Sequence, residues 1–111
     1  MDHQPTEIKL RTKSRQIDVD FSDGKHFELP FEYLRVHSPS AEVKGHGPGQ
    51  EVLQTGKEAV GVTELQPVGH YAIRIVFDDG HDTGLYTWQY LYELGKDRPR
   101  LWQSYLDRLT A

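Results

Sequence analysis

A short pattern occurs twice in this chain, 56 positions apart. The first copy reads Ile17-Asp18-Val19-Asp20-Phe21-Ser22-Asp23-Gly24, followed by Leu29 and then Tyr33-Leu34. The second reads Ile73-Arg74-Ile75-Val76-Phe77-Asp78-Asp79-Gly80, followed by Leu85 and then Tyr90-Leu91. In each copy apolar and polar residues alternate, the two-residue period of a half-buried strand. In each, Asp-Gly turns the chain, because glycine tolerates the positive φ of a tight hairpin. A returning strand and a helical phrase follow. The repeat therefore predicts an α+β domain: an antiparallel β-sheet built from two similar hairpin-helix units. Function has most room in the segments that do not repeat.

Further elements complete this frame. Residues 6–10 alternate and read as a first strand, and residues 26–29 pair back after the first turn. Pro30 can open a short helix over 31–36, since its missing N–H costs nothing in the first turn. That helix must end before Pro39. Residues 38–56 contain Gly45-His46-Gly47-Pro48-Gly49 and read as a long irregular loop, a kind of segment that often carries function. A strand is expected over 60–65, a turn at Pro67-Val68-Gly69, a strong strand over 70–77 and its partner over 83–86. Thr87 is the expected N-cap of a helix through Leu94, closed by Gly95. Leu101, Trp102, Tyr105, Leu106 and Leu109 have helical spacing, which predicts a C-terminal helix over 99–109 packed on the sheet.

At 111 residues the chain has room for one core, so residues 6–111 are expected to form a single domain behind a disordered tail, residues 1–5. Its 36% hydrophobic content is enough to order it. The formal net charge is −4, which disfavours a nucleic-acid partner, because phosphate binding needs a basic face. The alternating Lys9, Arg11, Lys13 and Arg15 read as a solvated strand edge. No apolar run approaches a membrane span, so no membrane partner is expected. The absence of cysteine removes disulfides, thiolate nucleophiles and iron–sulfur ligation, and points to the cytoplasm.

Six histidines raise the question of metal: His3, His26, His37, His46, His70 and His81. None has the paired spacing of a helical zinc site. Each read singly is a surface or turn residue. Asp23 and Asp79 head their turns, where a carboxylate ordinarily bonds nearby backbone amides. Ser38 and Ser40 flank Pro39 without an adjacent base and read as capping hydroxyls. The glycine loop lacks the lysine and hydroxyl of a phosphate-binding loop.

Two phrases go further: Leu34-Arg35-Val36-His37-Ser38-Pro39-Ser40-Ala41-Glu42 and Asp79-Gly80-His81-Asp82-Thr83-Gly84-Leu85-Tyr86-Thr87-Trp88. With them the chain resembles small bacterial proteins named for the N-terminal domain of gamma-butyrobetaine hydroxylase, over about residues 6–95. In that hydroxylase the domain precedes a separate iron- and 2-oxoglutarate-dependent catalytic domain. It holds zinc through a Cys-Pro-Cys-x-x-Cys phrase and one histidine. The matching positions here are Ser38, Ser40 and Val43, and His81 alone matches a ligand. The resemblance thus implies a scaffold without the hydroxylase activity and without that zinc site. It also brings Arg35, His37, Ser38, Ser40, Glu42, His46 and His81 onto one candidate interaction surface. Similar domains occur fused to P-loop ATPases of the iron–sulfur carrier type.

The expectation that follows is a non-enzymatic binding or accessory module with a protein partner and no cofactor, linked to iron–sulfur or redox protein maturation. The alternative is a metal-binding domain with a degenerate zinc or iron site, in which His81 is joined by His37, His46 or Glu42. A third reading is a small stand-alone enzyme working from Ser38 and His81.

Overall fold

The computed structural model describes residues 3–45 and 49–111. The chain runs β1 (Pro5–Arg11), β2 (Gln16–Phe21), β3 (His26–Pro30), α1 (Phe31–Val36), α2 (Ala41–Lys44), β4 (Val62–Val68), β5 (Ala72–Phe77), β6 (Leu85–Thr87), α3 (Trp88–Lys96) and α4 (Arg98–Leu109). The antiparallel α+β reading holds, and the strands divide into two three-stranded sheets, β1-β2-β3 and β4-β5-β6. Among the described residues no helix is long and apolar enough to cross a membrane.

The two halves repeat in detail that the sequence barely hints at. Pairing between β1 and β2 skips Thr6, and pairing between β4 and β5 skips Thr63. Both bulged threonines turn their hydroxyls onto the facing strand, Thr6 to the Asp20 carbonyl at 3.2 Å and Thr63 to the Val76 carbonyl at 3.3 Å. Both turns close the same way. The Phe21 amide donates to the Lys25 carbonyl at 2.9 Å, and the Phe77 amide to the His81 carbonyl at 3.0 Å. Gly24 and Gly80 have φ of 91° and 90°, so each supplies the left-handed residue its turn requires.

Inward residues of the two sheets and the faces of α1 and α3 form one core, with Ile17, Leu29, Leu34, Ile75, Tyr86 and Leu91 fully buried. Removing each large apolar side chain from water stabilises the fold by roughly 1.5–3 kcal/mol. Two buried tyrosines stitch the halves together. Tyr33 donates to the Leu94 carbonyl at 2.5 Å and Tyr86 to the Leu34 carbonyl at 2.6 Å, so each hydroxyl satisfies a buried backbone oxygen of the other half. α4 packs beside α3 and reaches α1, with Trp102 edge-on to Tyr33 and Tyr105 donating to Glu32 at 2.9 Å.

Several boundaries differ from expectation. β4 starts at Val62 and runs through Pro67 to Val68. It is an edge strand, where a missing N–H need not break the ladder. The turn therefore falls after Val68. α3 does not close at Gly95 but continues to Lys96. Gly95 is small because the Phe27 ring sits against it, in the space a Cβ would need. Of the expected tail, His3 stacks on Tyr92 with ring centroids 3.5 Å apart, the Gln4 carbonyl accepts from the Ser22 amide, and Pro5 opens β1. The long loop contains a helical turn, α2, capped by Ser40.

Candidate functional site

One residue separates the two hairpins. Ile17 pairs with Leu29, whereas its counterpart Ile73 pairs with Tyr86. The buried equivalent of Leu29 is thus Tyr86, not Leu85, which lies exposed. Side chains alternate faces along a strand, so one added residue exchanges inside for outside. The residues between Gly80 and Leu85 accordingly leave the ladder, and β6 keeps only three paired residues. This released segment packs against the chain that leaves α1.

That chain is held by local signals. α1 ends at Val36, its last turn closing through the His37 and Ser38 amides, and Pro39 prevents its continuation. Ser40 then caps α2, its hydroxyl accepting from the Glu42 amide at 3.2 Å. Across the gap, Ser38 Oγ lies 2.7 Å from His81 Nε2, and His81 Nδ1 lies 3.0 Å from Glu42 Oε2. Ser40 and Thr83 hydroxyls meet at 2.7 Å. Gly84 has no side chain because Ser38 Oγ fills the space where a Cβ would lie.

Burial, with Arg35 nearby, holds the His81 imidazole below its ordinary pKa against the pull of Glu42 and Asp79. A neutral ring satisfies the whole network: Nδ1–H donates to Glu42, Nε2 accepts from the Ser38 hydroxyl, and Ser38 accepts from the Ser40 amide at 3.2 Å. Beneath it Asp79 ties three groups together. It accepts from Arg35 Nε at 2.9 Å, Lys57 Nζ at 2.7 Å and the His81 amide at 3.2 Å. Burial opposes its ionisation, but these donors outweigh burial and hold its pKa at about 2. Arg35 also reaches Gln54 at 3.0 Å, which pins the far end of the loop.

Serine, histidine and glutamate in hydrogen-bonded series are the components of an acyl-transfer triad. Here the burial runs the other way. Ser38 is 0% exposed, while the Glu42 side chain is 62% exposed. Ser38 borders the neighbouring groove but exposes none of its own surface, and its hydroxyl is engaged with His81 and the Ser40 amide. The donor set does not fit the zinc that the hydroxylase domain holds either. Ser38 and Ser40 offer neutral hydroxyls already engaged with His81 and Thr83, and Val43 offers no donor.

The sequence-derived residues separate into two places. Ser38, Ser40, Glu42 and His81 come together, with Arg35 joined to them through Asp79. His37 faces elsewhere, its Nδ1 2.9 Å from the Tyr33 carbonyl. Burial lowers its pKa despite that bond. His46 lies outside the described residues. One cluster was missed: ligand atoms of Asp18, His26 and Glu28 on the outer face of β2 and β3 lie within 4.8 Å of one another. Their polar positions in the two strand patterns were the available signal. Asp18 already accepts from Arg11 and Gln16.

Beside the sealed network a groove of about 160 Å³ opens between the end of α1, α2 and α4. Val36, Val43, Leu101 and Tyr105 floor it, and Val52 closes one side. Val52 is 53% exposed yet fixed in place, its amide donating to the Val43 carbonyl at 2.8 Å.

The family model described as gamma-butyrobetaine hydroxylase-like, N-terminal, matches residues 8–92. Two structures determined by NMR in solution are similar to the chain throughout. One is 47% identical with a TM-score of 0.84, covering 98% of this chain and 86% of its own. The other is 50% identical with a TM-score of 0.84, covering 98% and 81%. A crystal structure from Acidithiobacillus ferrooxidans ATCC 23270, of a protein with unknown function in the DUF971 family, is 44% identical. Its TM-score is 0.70, with 83% of this chain and 92% of that one covered. A comparison with curated proteins matched none of them.

Proposed function

The chain belongs to the gamma-butyrobetaine hydroxylase-like N-terminal family, and from that membership and the geometry of its site we propose that it is a non-enzymatic binding module. The observation that carries this reading is the contrast between two neighbours. The residues with catalytic chemistry, Ser38 and His81, are buried and bonded to each other. The groove that Ser38 borders is open and has an apolar floor with a polar rim. A sealed polar network rigidifies a surface, and a rigid surface with an apolar recess is what protein recognition uses. The setting we infer is the cytoplasm and the partner a protein, with iron–sulfur or redox protein maturation as the context suggested by the fused relatives. The test is affinity capture from native lysate on the intact chain, with a Val52→Asp variant as comparison. A partner retained by the native chain and lost by the variant is expected. Recovery of no specific partner would refute the proposal.

One contact favours a second reading. His81 and Glu42 form a 3.0 Å histidine–carboxylate pair at the edge of the network, and such pairs hold transition metals. A metal there would have to displace the His81–Glu42 bond. Elemental analysis of protein purified without a polyhistidine tag decides it. Near-stoichiometric zinc or iron, lost in His81→Ala, is the outcome this reading requires.

A further inference from the structure

We propose that the groove between α1, α2 and α4 receives an acidic segment of a partner protein, seating one apolar side chain on its floor and carboxylates at Lys44 and Arg108. This rests on the binding-module reading and names what that module binds.

Size comes first. Small-molecule sites run from roughly 300 to 1,000 Å³. At about 160 Å³ the groove is well below that range and suits a single anchoring side chain. Its floor is aliphatic and aromatic, and the exposed Val52 extends that apolar surface to the rim.

Charge decides what flanks the anchor. The protein as a whole carries −4, yet the groove rim carries Lys44 and Arg108 against one acid, Glu51. Among the described residues neither cation has a carboxylate partner, whereas Arg35 and Lys57 share Asp79. Lys44 is pre-positioned, its ammonium held beside Tyr90, 4.8 Å from the ring centroid and bonded to its hydroxyl, and its three donors exceed that one bond. Arg108 stands in the last turn of α4. Both cations bear on the His37 ring that lies in the groove wall, where burial first and then their charges, against the bond to the Tyr33 carbonyl, lower the imidazole pKa. Two cations around an apolar recess, in an otherwise acidic molecule, select a partner of opposite sign at that spot.

The probe is a fluorescein-labelled peptide with one leucine between two glutamates on each side. The controls carry lysine for glutamate or alanine for leucine. Binding is read by fluorescence polarisation and by amide shifts of the intact chain. Shifts confined to the groove are expected, together with weaker binding at higher salt. Lys44→Glu with Arg108→Glu should lose at least tenfold in affinity, and Val52→Asp a comparable factor, with amide dispersion retained as proof of folding. Affinity unchanged in the charge-reversed variant, equal binding of the lysine peptide, or no shift at millimolar peptide would each overturn the proposal. Shifts that follow protein concentration instead would assign the groove to a second copy of this chain, and overturn it too. A cellular partner that the charge-reversed variant still captures would leave the module reading standing while the groove assignment fell.

Discussion

Asp79 offers a measurement that isolates one carboxylate. In the fold it accepts from Arg35, Lys57 and the His81 amide, and its side chain is only 22% exposed. Its pKa of about 2 lies below the ordinary 3.8. At 1.36 kcal/mol per pKa unit, that difference corresponds to about 2 kcal/mol favouring the ionised form in the folded state. Asparagine stands in for the protonated carboxyl: similar in shape, uncharged, still able to accept from the His81 amide. Asp79→Asn should therefore cost about 2 kcal/mol near neutral pH. The sign follows from the lowered pKa. An Asp depressed in the fold contributes stability above its unfolded pKa and loses it as pH falls through the folded value. The gap between native and variant chains should be full at pH 7, begin to close near 4 and be small by about 2. Urea unfolding of both proteins across that range reads the gap directly. Groups remote from Asp79 titrate alike in both chains and cancel; His81, whose pKa Asp79 raises, does not, so the gap is compared below the histidine range, from about pH 5 down to 2. A gap that stays constant with pH, or is below about 0.5 kcal/mol at neutrality, would refute the picture of Asp79 as a charge-bearing tie.

Other expectations are as specific. Gly95→Ala should destabilise: a bare helix position gains about 1 kcal/mol from this change, but here the Cβ must displace the near end of the Phe27 ring, so a more stable variant in thermal unfolding would contradict the packing. Ser38→Ala should cost about 1–3 kcal/mol in chemical unfolding, because it leaves the His81 ring nitrogen and the Ser40 amide without a partner; a neutral effect would mean the network carries no weight. NMR titration of the imidazoles should find His81 and His37 below the ordinary value and His26, bonded to Asp20, above it. Stability from the neutral His81 is then present above the ordinary histidine pKa and lost as pH falls toward its depressed one. The His26 contribution has the opposite sense, lost as pH rises through its raised value; the reverse order of pKa values would overturn both assignments.

Much of this architecture is legible in the chain because the repeat combines strand alternation with glycine turns, and those are local signals. Ile17, Val19 and Phe21 have the same burial as Ile73, Ile75 and Phe77 for that reason. What escaped depends on distant partners. Gly95 looks like a helix stop until Phe27 is placed beside it. Leu85 looks like the twin of Leu29 until the added residue before it is counted against the ladder register. The meeting of Ser38 and His81 was visible only through resemblance, since a contact across 43 residues leaves no periodicity. The Asp18–His26–Glu28 cluster was overlooked because its members stand on two strands, one of them the buried Asp18, at positions that read as ordinary polar alternation.

The extra residue between Gly80 and Tyr86 has a consequence for how such a domain can change. In the first half, residues 26–30 all pair with β2, and altering one disturbs its partner across the ladder. In the second half, residues 81–84 hold no place in a ladder. Beyond the two backbone bonds that His81 makes at the turn, they meet the α1–α2 segment through the side chains of His81 and Thr83, and through a missing one at Gly84. The domain thus keeps one rigid copy of its hairpin as ballast and one loosened copy as a socket. Different fittings can be exchanged in that socket while the sheets beneath keep their register.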